Sequence, residues 1–104
     1  MKKIEIPFNS WSRSRLNNFT KNATSRNTRY GEPRDVFELE NKRYEIVFVV
    51  RLPLWFIAKH LHVTEGCFNE NEFIEVWCDI HPKAGWTPNK IVYYHYFKCI
   101  GGGL

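Results

Sequence analysis

The stretch Tyr44-Glu45-Ile46-Val47-Phe48-Val49-Val50 decides the fold. Its apolar core is β-branched except at Phe48, and at this length such a run favours a strand over a helix. It is apolar on both faces, which predicts a central strand covered on both sides. On its amino side, Glu40-Asn41-Lys42 reads as a hairpin turn reached from a strand holding Val36, Phe37 and Leu39. On its carboxyl side, Pro53 fits the first turn of a helix in which Leu54, Ile57, Ala58 and Leu61 recur at helical spacing. Glu65-Gly66 ends that segment.

Further out, Asn69 with Glu72 forms a capping box for a second helix. That helix buries Phe73, Val76, Trp77 and Ile80 and stops at His81-Pro82. A polar loop with Gly85, Trp86 and Pro88 leads to a last strand over residues 91–97. Before the hairpin, residues 3–8 alternate weakly as a short strand. Ser10 caps a short helix over 11–21, where Leu16 and Phe19 share a face. Residues 23–29 are polar and in part β-branched, and Tyr30-Gly31-Glu32-Pro33 reads as a turn. The order α-β-β-α-α-β predicts an α+β fold: a curved mixed sheet or small β-barrel with helices packed on it.

A chain of 104 residues holds one ordinary domain, expected over 1–98, with a flexible tail over 99–104 that contains Gly101-Gly102-Gly103. Residues 1–34 carry eight Lys/Arg against Glu5 and Glu32, whereas the other seventy carry seven basic and nine acidic residues. A basic end on a near-neutral body suits either a polyanionic partner or a solvated basic face. No apolar run is long enough to span a membrane. Behind Met1-Lys2-Lys3, Glu5, Pro7, Asn9 and Ser10 break any signal-like stretch. Cys67, Cys78 and Cys99 are odd in number and form no CxxC pair, which fits reduced thiols in a cytoplasm.

The segment most loaded with chemistry is Lys21-Asn22-Ala23-Thr24-Ser25-Arg26. In an extended chain Thr24 and Arg26 point to one side, with Lys21 at the helix end behind them. Lysine can then hydrogen-bond the threonine hydroxyl while arginine grips a carbonyl or phosphate. The same residues also suit a plain polar connector. Glu65, just before a glycine and between two helices, can be held rigidly at a cleft, or can simply favour a helix dipole. Trp86, with Lys83 and Lys90 nearby, either stacks on a base or folds back onto the core. Cys78 and His81 lie three apart, but a structural metal needs two more ligands than the sequence offers, so no metal is expected.

Taken together, these segments resemble the ASCH family, which adopts a PUA-like fold and includes RNA-associated and nucleoside-acting proteins. The resemblance rests on Lys21-x-x-Thr24-x-Arg26, Tyr30-Gly31-x-x-x-Asp35-x-Phe37, Leu54-x-x-Ile57-Ala58 and Glu65-Gly66-x-Phe68. It continues through Glu72-Phe73-x-x-x-Trp77-x-x-x-His81-Pro82 and the closing strand, so that it covers residues 7–98. Within that family the nearest parallel is the small bacterial N(4)-acetylcytidine amidohydrolases. The parallel implies a catalytic set of Lys21, Thr24 and Glu65: threonine attacks the acetyl carbonyl, lysine serves as its base and glutamate passes protons to the departing amine. It implies that Arg26 holds the pyrimidine or its phosphate, and that no cofactor is used. An RNA or nucleoside ligand would also engage Arg13, Arg15, Arg29 and Trp86. A non-catalytic module for single-stranded RNA would use the same cleft with Arg13, Arg15, Arg26 and Arg29, and an interaction domain with a vestigial cleft is the third reading. The chain departs from the family pattern at Phe19 and at Arg34, both in place of glycine. It also has Thr24 where the broader family often has glutamate.

Overall fold

The computed structural model describes residues 1–17 and 21–102. Its frame is one long antiparallel pair, β3 (Lys42–Pro53) against β4 (Ile91–Gly102), in register from Lys42↔Gly102 to Pro53↔Ile91. Two short strands flank it, β1 (Ala23–Arg26) beside β4 and β2 (Val36–Leu39) beside β3, giving the order β1-β4-β3-β2. The four strands pair antiparallel and, curled under the helices, form the α+β fold that the sequence predicts. Two register shifts curl the sheet: Val47 on β3 and Ile100 on β4 each stand opposite no partner, and such extra residues bend a strand and raise its twist.

Alternation along the curled sheet builds a core on each face. On one, Ile46, Tyr44, Phe37 and Phe97 pack with Ile6, Phe8 and Leu16 from the amino-terminal segment. On the other, Ala23, Val92 and Tyr94 meet the helices through Leu54, Ile57, Ala58, Phe73 and Trp77. The doubly covered strand is therefore β4, where Val92, Tyr94, His95 and Phe97 are all buried. The 44–50 run is not covered on both faces as the sequence predicts: Phe48 is 43% exposed and Val50 39%. The cause is where the helices sit: they pack on β1 and β4, through Ala23, Val92 and Tyr94, and leave Phe48 and Val50 of β3 uncovered.

Helix α1 (Ser10–Asn17) is capped by Asn9 rather than Ser10: its side-chain oxygen accepts from the Ser12 amide at 2.8 Å. Phe19 lies outside the described residues; Lys21, the last residue of the predicted helix, is not helical, and its amide donates to the Arg15 carbonyl at 3.2 Å. The 3–8 strand reduces to a single bridge, Lys3↔Val36. Helix α2 (Leu54–Phe56) runs directly into a π-helical segment, Ile57–Leu61. Helix α3 (Glu70–Ile80) is capped by Asn69 as expected, accepting from the Glu72 amide, while the Glu72 carboxylate accepts from the Phe68 amide rather than from the Asn69 amide of a capping box. The predicted tail is in part sheet. Residues Cys99–Gly102 extend β4, because the start of β3 offers Lys42 and Arg43 as pairing partners. No helix among the described residues is long and apolar enough to cross a membrane.

Candidate functional site

Strand β1 reaches its place because the amides of Asn22 and Ala23 both donate to the Thr64 carbonyl, at 2.8 and 2.9 Å. That seam joins the start of β1 to the turn after the π-helical segment, and it brings Lys21 to Glu65 across forty-four positions of sequence. Lys21 Nζ donates to the Glu65 carbonyl and to Oε1, both at 3.2 Å. The other carboxylate oxygen accepts from Ser25 Oγ at 2.5 Å, the short distance of a charge-assisted bond. All three side chains are deeply buried, with relative exposures of 4% for Lys21, 5% for Glu65 and 8% for Ser25. Charges so far from water are tolerated when paired and hydrogen-bonded, and here two bonds join Lys21 to Glu65 and a third comes to Glu65 from Ser25.

The cluster forms the floor of a cavity of about 670 Å³ that also takes in Thr24 and Arg26. This volume lies within the roughly 300–1,000 Å³ common for small-molecule sites. Strand β1 is an edge of the sheet, so Thr24 and Ser25, on opposite faces of it, both reach the cavity. Thr24 Oγ1 accepts from Arg26 Nε at 3.0 Å. The Arg26 guanidinium lies over the rings of Phe8 at 4.9 Å and Tyr30 at 5.6 Å. Burial lowers its pKa, opposed by Tyr30 and Glu65. One wall is a stack of Trp77 on His81, 4.1 Å between ring centroids and 23° between planes. His81 Nδ1 donates to the Trp77 carbonyl, which fixes the ring at the end of α3. Cys67 also lines the cavity, but burial, reinforced by Glu65, pushes its thiol up to about 12, so it stays protonated and a poor nucleophile.

The structure thus gathers Lys21, Thr24, Arg26 and Glu65 at one cavity, with different internal pairing from the one the sequence suggests. Lysine bonds the glutamate rather than the threonine, and arginine takes the threonine hydroxyl. The other basic residues singled out in the sequence do not line the cavity. Arg15 lies over Trp11 at 4.5 Å, donates to the Gly66 carbonyl and pairs with Glu72, so it braces the Glu65 turn. Arg29 pairs with Glu32 at 2.7 Å. Arg13 is exposed on α1. Trp86 folds onto the core edge-to-face with Phe73, 6.4 Å between centroids. Sequence reading gave no role to Ser25, Tyr30 or His95. For Ser25 the missing signal was its partner, which is remote in sequence. Among the described residues no three His, Cys, Asp or Glu side chains converge on a cation site.

No family model matches the sequence, and no curated protein does. The fold matches that of an ASCH domain from Lactobacillus crispatus JV V101, with a TM-score of 0.67 over 96% of this chain and 79% of that one. The two sequences are 9% identical, so the likeness is one of fold.

Proposed function

We propose that the cavity binds a pyrimidine nucleoside, free or within RNA, and hydrolyses an amide on it such as the acetyl group of N(4)-acetylcytidine. The observation that carries this reading is the buried Lys21–Glu65–Ser25 cluster on the floor of an aromatic-walled cavity that also presents Thr24 and Arg26. The Trp77–His81 stack offers a flat face for a base. Glu65 is the proton carrier between an attacking hydroxyl and the departing amine. An ammonium has three N–H donors, and Lys21 spends two on Glu65. The third serves the carbonyl oxygen as charge develops on it. Thr24 sets the direction of the Arg26 guanidinium, which grips a polar edge of the base.

A small ligand fits better than a long RNA because half of the eight Lys/Arg of the amino-terminal third, Lys21 among them, are already in ion pairs. Lys3 pairs with Glu38 at 2.7 Å, Arg29 with Glu32, and Arg15 with Glu72. The test is release of cytidine from N(4)-acetylcytidine, followed by chromatography. Lys21→Ala, which removes the donor to the carbonyl oxygen, and Glu65→Gln, which removes the proton carrier, should each slow turnover by about a hundredfold or more. Thr24→Ala should raise KM, because it frees Arg26. Absence of both cytidine release and nucleoside binding in the wild-type chain would end this reading.

A further inference from the structure

Two hydroxyls face the cavity from adjacent positions of β1, and they are held in opposite ways. Thr24 Oγ1 accepts a hydrogen bond from a guanidinium, which draws electron density from the oxygen that would have to attack. Ser25 Oγ donates at 2.5 Å to a carboxylate oxygen, the arrangement in which a base can take the proton as attack begins. That carboxylate is oriented in turn by Lys21 through its other oxygen and its own carbonyl. Nucleophile, base and orienting group are therefore all in place at Ser25, which is the general signature of an activated hydroxyl.

We propose that Ser25 supplies the attacking oxygen, with Glu65 as its base; the proposal rests on the amide-hydrolase reading above. Ser25 Oγ bonds to the amide carbonyl carbon and its proton passes to Glu65. The carbon–nitrogen bond then breaks, and the proton on Glu65 goes to the departing amine. This leaves an acyl ester on Ser25. Water attacks the ester as Glu65 takes one of its protons, and that proton returns to Ser25 Oγ as the carboxylic acid leaves. Hydrolysis needs no co-reactant other than water.

The test acylates the wild-type protein with p-nitrophenyl acetate, a reagent that needs no nucleoside recognition. Acid quenching, digestion and fragment mass spectrometry then locate the ester. The expected result is acetyl on Ser25, absent from Ser25→Ala and reduced about tenfold or more in Glu65→Gln. On N(4)-acetylcytidine, Ser25→Ala should lower kcat by about a hundredfold or more with KM nearly unchanged, as loss of a group used only in the transition state does. Because the label is read on the wild-type chain, the result stands even if Ser25→Ala folds poorly. Acetyl on Thr24, or no ester at all, overturns the assignment to Ser25. Cytidine release by the same preparation would then still uphold the hydrolase reading. Acetyl on Ser25 without cytidine release keeps Ser25 as nucleophile and removes the nucleoside as substrate.

Discussion

Arg34 sits at a φ of 77°, a region that costs a non-glycine residue roughly 1–2 kcal/mol because its Cβ crowds the carbonyl. Its amide donates to the Ile46 carbonyl at 2.8 Å, and the next residue, Asp35, accepts from the amides of Glu32 and Lys2, so the turn is pinned on both sides. The strain is visible in the sequence as Arg34 standing where the family pattern has glycine, although the pattern alone gives no φ. Arg34→Gly removes that strain and adds unfolded-state entropy of about 0.5–1 kcal/mol. The net gain should be roughly 0.5–1 kcal/mol, a rise in Tm of several degrees for a domain of this size. A thermal melt decides it: an unchanged or lower Tm means that the arginine side chain earns its place by a contact of its own.

Among the elements, the turn from the π-helical segment to α3 carries the most function per residue. Gly66 has a φ of 89°, and a Cβ there would lie 2.9 Å from Arg15 Cγ and 3.1 Å from Lys21 Cβ. The turn is thus wedged between the base of α1 and the start of β1, which is how Glu65 comes to face Lys21. Gly66→Ala must carry both the unfavourable φ and the crowding, about 2–4 kcal/mol together. It should lower the denaturation midpoint and, by shifting Lys21 against Glu65, depress turnover more than Arg15→Ala does. Equal effects of the two variants would detach the turn from the site. The sequence displayed this turn and the two carboxyl-side helices well, since capping residues and helical spacing are local signals. It hid β1, whose Thr24 and Ser25 are polar and buried only because the Thr64 seam and β4 enclose them. It also misjudged the cover on β3, because which strands the helices will pack on is not written in the strand itself.

Across the whole molecule, His95 ties the sheet to the cavity rim and gives stability a pH dependence of predictable sign. The imidazole is fully buried, and Nε2 accepts from the Tyr30 amide at 3.0 Å. Nδ1 therefore carries the proton, which it shares between the carbonyls of Thr24 at 3.2 Å and Tyr93 at 3.0 Å. A second proton would put an N–H against the Tyr30 N–H in a dry site. Burial above all lowers the pKa of His95, helped by Arg26 and Arg29 and opposed by the two carbonyl bonds. In the unfolded chain the group titrates near 6.5. Below that pH the unfolded chain binds a proton that the folded one refuses, so stability is full above about 6.5 and is lost as pH falls toward the depressed folded value. The loss can reach about 1.4 kcal/mol per pH unit. Glu38, held low first by its hydrogen bond to Lys3, contributes stability that is lost only below its ordinary value of 4.5, so the two windows separate. Urea unfolding from pH 8 to pH 5 should show this slope in the wild-type chain. His95→Asn keeps a donor for the Thr24 carbonyl, and it should be less stable at pH 8 yet nearly flat across the same range. A wild-type chain as flat as the variant would mean that His95 takes up its proton in the fold as readily as in the unfolded chain. The bond to the Tyr30 amide, and with it the anchoring of the ring that covers Arg26, would then have to be drawn differently.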